Sequence, residues 1–268
     1  MVIGAPDVGK STFAEYLFHE VRRAAGQAAF LDGDPGQSRL GPPTTMTLVF
    51  GASGELDFPP DARLWHWFVG STSPSGHMLP VLVGAARLVE AARGAGADRI
   101  IYDTSGLVDP ALGGLALKLA KIDLLRPALV VGIQNESELE PLLVPLRHRS
   151  GLRVISLPAS PQVHKRDLIQ RRAYRASQFS AYFRSATGFS LEWTRYAVHP
   201  FPRFSMNRLV ALEDRRGFTL GLGIVRAIDR SLRKVKLFTP LKTLEKVDAL
   251  RLGDVTIDTH TFRDAQIK

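Results

Sequence analysis

The chain has 268 residues, enough for a complete α/β core and a small additional unit. Its 35 Lys and Arg against 26 Asp and Glu give a net charge of +9 and a pI near 10.1, a balance that concentrates polyanions at the surface. The absence of cysteine excludes disulfides and thiolate metal sites, and no run of 18 apolar residues is present; with no signal peptide read at its start, an intracellular, cytoplasmic protein without a membrane partner is expected.

Residues 1–3 form a short apolar strand that runs into Gly4-Ala5-Pro6-Asp7-Val8-Gly9-Lys10-Ser11-Thr12. This stretch fits the P-loop pattern G-x-x-x-x-G-K-[ST]. The two glycines let the backbone curl until successive N–H groups point at phosphate oxygens. Lys10 offers a mobile, solvated ammonium to the β- and γ-phosphates, and Ser11 a hydroxyl to Mg²⁺. A helix from 11 to about 25, stopped by Gly26, aims its positive end at the same anion. A nucleoside-triphosphate site is therefore expected here.

A second strand (28–31) ends in Asp32-Gly33-Asp34-Pro35-Gly36-Gln37, and a Pro/Gly-rich stretch through Pro43 crosses the surface. Strand 64–69 leads into Gly70-Ser71-Thr72-Ser73-Pro74. Helix 78–95 is followed by strand 99–102 and Asp103-Thr104-Ser105-Gly106. A helix, strand 128–132, helix 136–148 and strand 153–157 complete the alternation, which predicts a parallel sheet with helices on both faces, the α/β fold of a P-loop NTPase. A basic helix spans about 164–185. Pro200 and Pro202 mark a boundary, giving a P-loop domain at 1–202 and a small C-terminal β domain at 203–268, with β-like runs at 209–212, 218–225 and 234–238.

Asp32 and Asp34 stand at the strand edge where open parallel sheets bind ligands. A carboxylate there can hold Mg²⁺ or take a proton from an attacking hydroxyl, and an Asp-Gly turn explains the residues equally well. The D-x-x-G of residues 103–106 also suits a GTPase switch, but no N-K-x-D guanine-reading motif accompanies it. Arg171 and Arg175, spaced i,i+4, share one helix face, while Ile169, Ala173, Ala176 and Phe183 fall on an arc that can pack inward. The arginines suit stabilisation of a transferring phosphoryl group, although spacing alone favours a solvated basic face. His19, His77 and His164 show no metal-ligand spacing.

Together GAPDVGKST (4–12), DGDPGQS (32–38), FVGSTSP (68–74), DTSG (103–106), RRAYR (171–175) and GFTLGLGIV (217–225) resemble the polynucleotide 5′-hydroxyl kinases, which include the kinase subunit of the pre-mRNA cleavage complex and the pre-ribosomal RNA processing kinases. The resemblance implies ATP- and Mg²⁺-dependent phosphorylation of the 5′-hydroxyl ends of RNA or DNA. It implies that Gly4 to Thr12 hold the triphosphate and that Ser11 and Asp34 lie at the metal. Lys10, Asp34, Arg171 and Arg175 would carry catalysis, with Asp34 near the attacking hydroxyl. Gln37, Ser71, Thr72, Thr104 and Gly106 would face substrate, the last two as a clasp on the P-loop lysine. Leu107 stands where the clasp usually continues with Trp. A non-catalytic ATP-binding scaffold of an RNA-processing complex and a GTPase-like switch are the alternative readings.

Overall fold

The computed structural model describes residues 1–24, 27–51, 58–60 and 62–267. In chain order the elements are β1 (Val2–Gly4), α1 (Lys10–Arg23), β2 (Ala28–Gly33), β3 (Thr45–Gly51), β4 (Trp65–Phe68), α2 (Met78–Gly94), β5 (Arg99–Thr104), α3 (Gly114–Leu125), β6 (Leu129–Gln134), α4 (Glu140–Leu146), β7 (Arg153–Pro158) and α5 (Leu168–Tyr182). There follow β8 (Thr187–Glu192), β9 (Ala197–His199), β10 (Arg208–Glu213), β11 (Thr219–Asp229), β12 (Lys234–Thr239), β13 (Ala249–Ile257) and β14 (Asp264–Gln266). Ala25 and Gly26, expected to end the first helix, lie outside the described residues.

The strands join in one 14-stranded sheet ordered β14-β13-β10-β11-β4-β3-β2-β5-β1-β6-β7, with β12 and β8 continuing from β11 and β9 pairing β13. The parallel part expected from the alternation is β2-β5-β1-β6-β7. β3 and β4 extend it in antiparallel fashion, so the whole sheet is mixed. Helices cover both faces. On one, Ala14 and Phe18 of α1 meet Phe30, Val49, Ile101 and Val131. On the other, Val81, Ala85, Leu88 and Ala92 of α2 meet Leu31, Met46 and Trp67. The buried positions of α1 are Lys10, Ala14, Phe18 and Arg22, a single i,i+4 stripe.

β8 and β9, which precede residue 203, are hydrogen-bonded to β12 and β13, so strands from both sides of that position share ladders. The link between the two halves of the sheet is narrow, one registered pair among the described residues, between Thr219 and His66. It is reinforced by Phe218 packed edge-on against Trp65 and Trp67, with ring centroids 5.2 and 6.3 Å apart. A second reinforcement is the cluster of Phe68, Phe179 and Phe183 with Leu209, Leu222, Ile224, Val255 and Ile257. The basic helix is shorter than expected at both ends, and Ile169, expected to pack inward, is 77% exposed; Phe179 and Phe183 are the inward residues. Among the described residues no helix is long and apolar enough to cross a membrane.

α3 turns two charged residues into the core, Lys118 and Lys121, both fully buried. The Lys121 ammonium lies 5.0 Å from the Tyr102 ring centroid and has no hydrogen-bond partner among the described residues, and burial lowers it to about 7 from its ordinary 10.5. The unfolded chain holds this proton up to about pH 10.5, whereas the fold releases it near 7. The cost to the fold is therefore full below pH 7 and fades as pH rises through that window. Lys121→Met should stabilise the protein by roughly 4 kcal/mol at pH 7 and by almost nothing at pH 10.5. Urea unfolding at the two pH values checks this, and a loss of stability at both would make the ammonium a structural asset instead.

Candidate active site

The parallel register brings three loops to one edge. Val2 and Asp32 both stand opposite Asp103, so the P-loop after β1, the acid loop after β2 and the turn after β5 emerge together. They line a cleft of about 1350 Å³ whose wall includes Asp7 to Thr12, Asp34, Gln37, Thr72, Gly106, Arg171 and Arg175.

The P-loop is shaped by steric limits. A Cβ on Gly4 would stand 2.3 Å from the Ile133 carbonyl oxygen and 2.8 Å from Val8, and Gly9 adopts φ +90°. Gly9 caps α1 with no side-chain hydrogen bond, which leaves the first-turn N–H groups to an anion. Lys10 is not the solvated ammonium expected: it is only 6% exposed, and its Nζ donates to the Ala5 carbonyl at 2.5 Å. Burial lowers its pKa, while Asp103, Asp34 and Asp7 act to raise it. The lysine is stored inside the loop it serves.

The acids divide the work. Asp32 is buried, and its Oδ2 accepts from Ser38 Oγ at 2.9 Å, Arg39 N at 2.7 Å and Leu40 N at 3.1 Å, so it holds the loop. Asp34 Oδ1 accepts from the N–H groups of Gly36 and Gln37 at 2.9 and 3.0 Å. Its Oδ2 has no hydrogen bond among the described residues, and Asp34 lines the cleft. Asp103 is buried, and burial pushes its carboxyl up to about 7, against a hydrogen bond from Ser11; its Oδ1 has no partner among the described residues. Among the described residues no three His, Cys, Asp or Glu side chains group to hold a metal. Ser11, Asp34 and Asp103 nevertheless suit a cation bound mainly by phosphate and water oxygens, the usual habit of Mg²⁺.

The other expected residues fall into two groups. Gln37, Thr72 and Gly106 line the cleft, and a Cβ on Gly106 would press on Pro6 of the P-loop at 2.8 Å. Thr104 also borders the cleft, but its hydroxyl donates to the Val2 carbonyl at 2.9 Å and accepts from Lys118 Nζ at 2.8 Å, not from Lys10. Ser71 is fully buried and faces the C-terminal strand, its Oγ accepting from Ser73 N at 3.1 Å and Gln266 Nε2 at 3.4 Å, so a direct substrate contact is not its geometry.

Arg171 and Arg175 of α5 are both engaged. Arg171 Nη2 donates to Asp7 Oδ2 at 2.6 Å, and Arg166 donates to both Asp7 oxygens at 3.0 Å, one from its backbone and one from Nε. Burial would raise the Asp7 carboxyl, but the Arg171 and Arg166 hydrogen bonds hold it below its usual range. Arg175 Nε donates to Asp264 Oδ1 at 2.9 Å. Between them, Tyr174 donates from its hydroxyl to the Ser38 carbonyl at 2.9 Å, tying α5 to the acid loop. Sequence reasoning missed Arg166, Lys118, Tyr174 and Asp264. Only Tyr174 lay inside a motif already singled out, RRAYR.

The family model described as mRNA cleavage and polyadenylation factor CLP1 P-loop matches residues 4–185. The polyribonucleotide 5′-hydroxyl-kinase TK1956 of Thermococcus kodakarensis is 29% identical over 317 residues, covering 96% of this chain and 87% of that protein. The polyribonucleotide 5′-hydroxyl-kinase MJ1315 of Methanocaldococcus jannaschii is 23% identical, covering 96% and 86%. A solved wild-type Clp1p–Pcf11p complex has the same fold, with a TM-score of 0.71 at 13% identity over 95% of this chain and 73% of that one.

Proposed function

The chain belongs to the mRNA cleavage and polyadenylation factor CLP1 P-loop family, and from that premise we propose that it transfers the γ-phosphate of ATP to the 5′-hydroxyl end of a polynucleotide, RNA or DNA. The observation that carries this reading is Asp34. One of its oxygens is fixed by two backbone N–H groups, the other has no hydrogen bond among the described residues, and the residue lines the same cleft as the P-loop. The names of the archaeal relatives, polyribonucleotide 5′-hydroxyl-kinases, support it.

Bound Mg²⁺ and ATP supply the transferable phosphoryl group and part of its charge neutralisation. The α1 N–H groups and Lys10 hold the triphosphate. Ser11, Asp34 and Asp103 would hold the cation. Asp34 takes the proton of the 5′-hydroxyl as that oxygen bonds to phosphorus and the bond to ADP breaks. Arg175, and Arg171 once it leaves Asp7, bring guanidinium charge to the transferring group.

The test is transfer of labelled γ-phosphate to matched RNA and DNA oligonucleotides bearing 5′-hydroxyl ends. With a net charge of +9, contacts beyond the reacting nucleotide are expected. Oligonucleotides should outperform free nucleosides, and kcat/KM should fall steeply as salt rises. Equal efficiency on a nucleoside, with no salt dependence, would indicate a small-molecule kinase. ATP binding with no transfer to any 5′-hydroxyl would reject the reading.

A further inference from the structure

Asp264 belongs to the last strand, far in sequence from every motif of the cleft, and only 8% of its side chain is exposed. Its two oxygens serve two different walls of the site. Oδ1 accepts from Arg175 Nε on α5 at 2.9 Å, and Oδ2 accepts from Thr72 Oγ1 at 3.4 Å. The bond to Arg175 uses the inner nitrogen of the guanidinium. Its outer fork, the part that grips a phosphate, is left uncommitted among the described residues. Arg171 differs, because its outer Nη2 is already given to Asp7.

The carboxylate is itself held firmly. β14 pairs β13 in register, Ile257 opposite Asp264. The turn between them is closed by Asp258, whose Oδ1 accepts from the N–H groups of His260 and Thr261. From the same turn Phe262 stacks on Phe183, just past the end of α5, with centroids 6.4 Å apart and planes 10° apart. On the other side, Thr72 reaches the acid loop: a Cβ on Gly36 would stand 2.4 Å from the Thr72 carbonyl oxygen, and Gly36 is one of the two residues that bind Asp34 Oδ1. A continuous path therefore runs from Arg175 through Asp264 and Thr72 to Gly36 and Asp34.

We propose that Asp264 is a positioning residue of the transfer reaction, holding Arg175 by its Nε and the 70–74 loop by Thr72 so that the α5 guanidinium and the Asp34 carboxylate keep a fixed separation across the cleft. The inference rests on the kinase reading above. Asp264 borders no part of the cleft, so its effect passes through the two residues it holds. A carboxylate in this place also orients a guanidinium without competing for its outer nitrogens. Alignment of this kind matters because a misplacement of about 1 Å in a catalytic group can cost on the order of 100-fold in rate.

The experiment compares the full-length wild type with Asp264→Asn, Asp264→Glu, Arg175→Ala and the Asp264→Asn/Arg175→Ala double variant, measuring kcat and KM for ATP and for one 5′-hydroxyl oligonucleotide. Asp264→Asn, which is isosteric, should lower kcat by roughly 10-fold or more with KM for ATP within about twofold, and the double variant should lose clearly less than the product of the two single losses. Asp264→Glu, which keeps the charge, should recover part of the loss. If Asn at 264 leaves kcat unchanged, or if the two losses multiply, Asp264 does not act through Arg175. A faster Asp264→Asn enzyme would mean that the carboxylate competes with phosphate for the arginine, which also overturns the proposal. A wild type with no transfer at all would defeat the kinase reading first, a result distinct from an active wild type with a normal Asp264→Asn.

Discussion

Lys10→Ala, or Lys10→Met with its better filling of the space, should give a folded protein in which phosphoryl transfer is reduced by roughly 10³-fold or more. The expectation of an intact fold needs an argument, because Lys10 is buried and faces the charge of Asp103, Asp34 and Asp7. Removing a buried counter-ion normally leaves a costly unpaired charge. Here the neighbours have alternatives. Burial already pushes the Asp103 carboxyl up to about 7, so it can take a proton, and Asp7 is held by Arg171 and Arg166. The lost Nζ–Ala5 hydrogen bond is a contact within the loop. Circular dichroism and urea unfolding follow the fold, and turnover on one oligonucleotide follows the chemistry. A folded variant with near-normal turnover would remove Lys10 from the mechanism.

Asp34→Asn should bind ATP almost normally and lose transfer by roughly 10²–10⁴-fold, the range of a positioned general base. The geometry makes this substitution unusually clean. Asn keeps an Oδ1 to accept the Gly36 and Gln37 N–H groups, so the turn survives and only the other oxygen is replaced. Asp32→Asn serves as the contrast, since it disturbs an oxygen that accepts three hydrogen bonds and should cost stability ahead of chemistry. Calorimetry for nucleotide affinity and turnover at each of positions 32, 34 and 103 separates the roles. If Asp103→Asn is the inactive protein and Asp34→Asn is nearly normal, the base is Asp103.

What the sequence made legible was local. The P-loop, the DPGQ turn and the alternation that builds β2-β5-β1-β6-β7 depend on residues close together in the chain, and the spacing of glycines and apolar residues states them directly. β3 escaped notice because it follows Pro42 and Pro43 at once and is buried on both faces, so it shows no alternation to read. β14, three residues long, owes its place to pairing with β13 rather than to its own composition. The partners of the α5 arginines were illegible for a related reason. Asp7 lies 164 residues from Arg171 and Asp264 lies 89 residues from Arg175, and no helix-face argument reaches across such distances. The same limit explains Ile169: helical spacing marks a face, but the packing partner decides how far along the helix that face is covered.

α5 is fastened unevenly. Its final turns are part of a hydrophobic core through Phe179 and Phe183, while Leu168 and Ile169 at its start are 69% and 77% exposed. A segment held this way cannot swing as a rigid flap, because doing so would pull two phenylalanines out of the interior. It can only unzip from its first turn, giving up the Asp167 capping box and the Asp7 ion pairs in sequence. Access along the first turn of α5 therefore depends on breaking polar contacts one at a time, while the packed end of the helix stays in place.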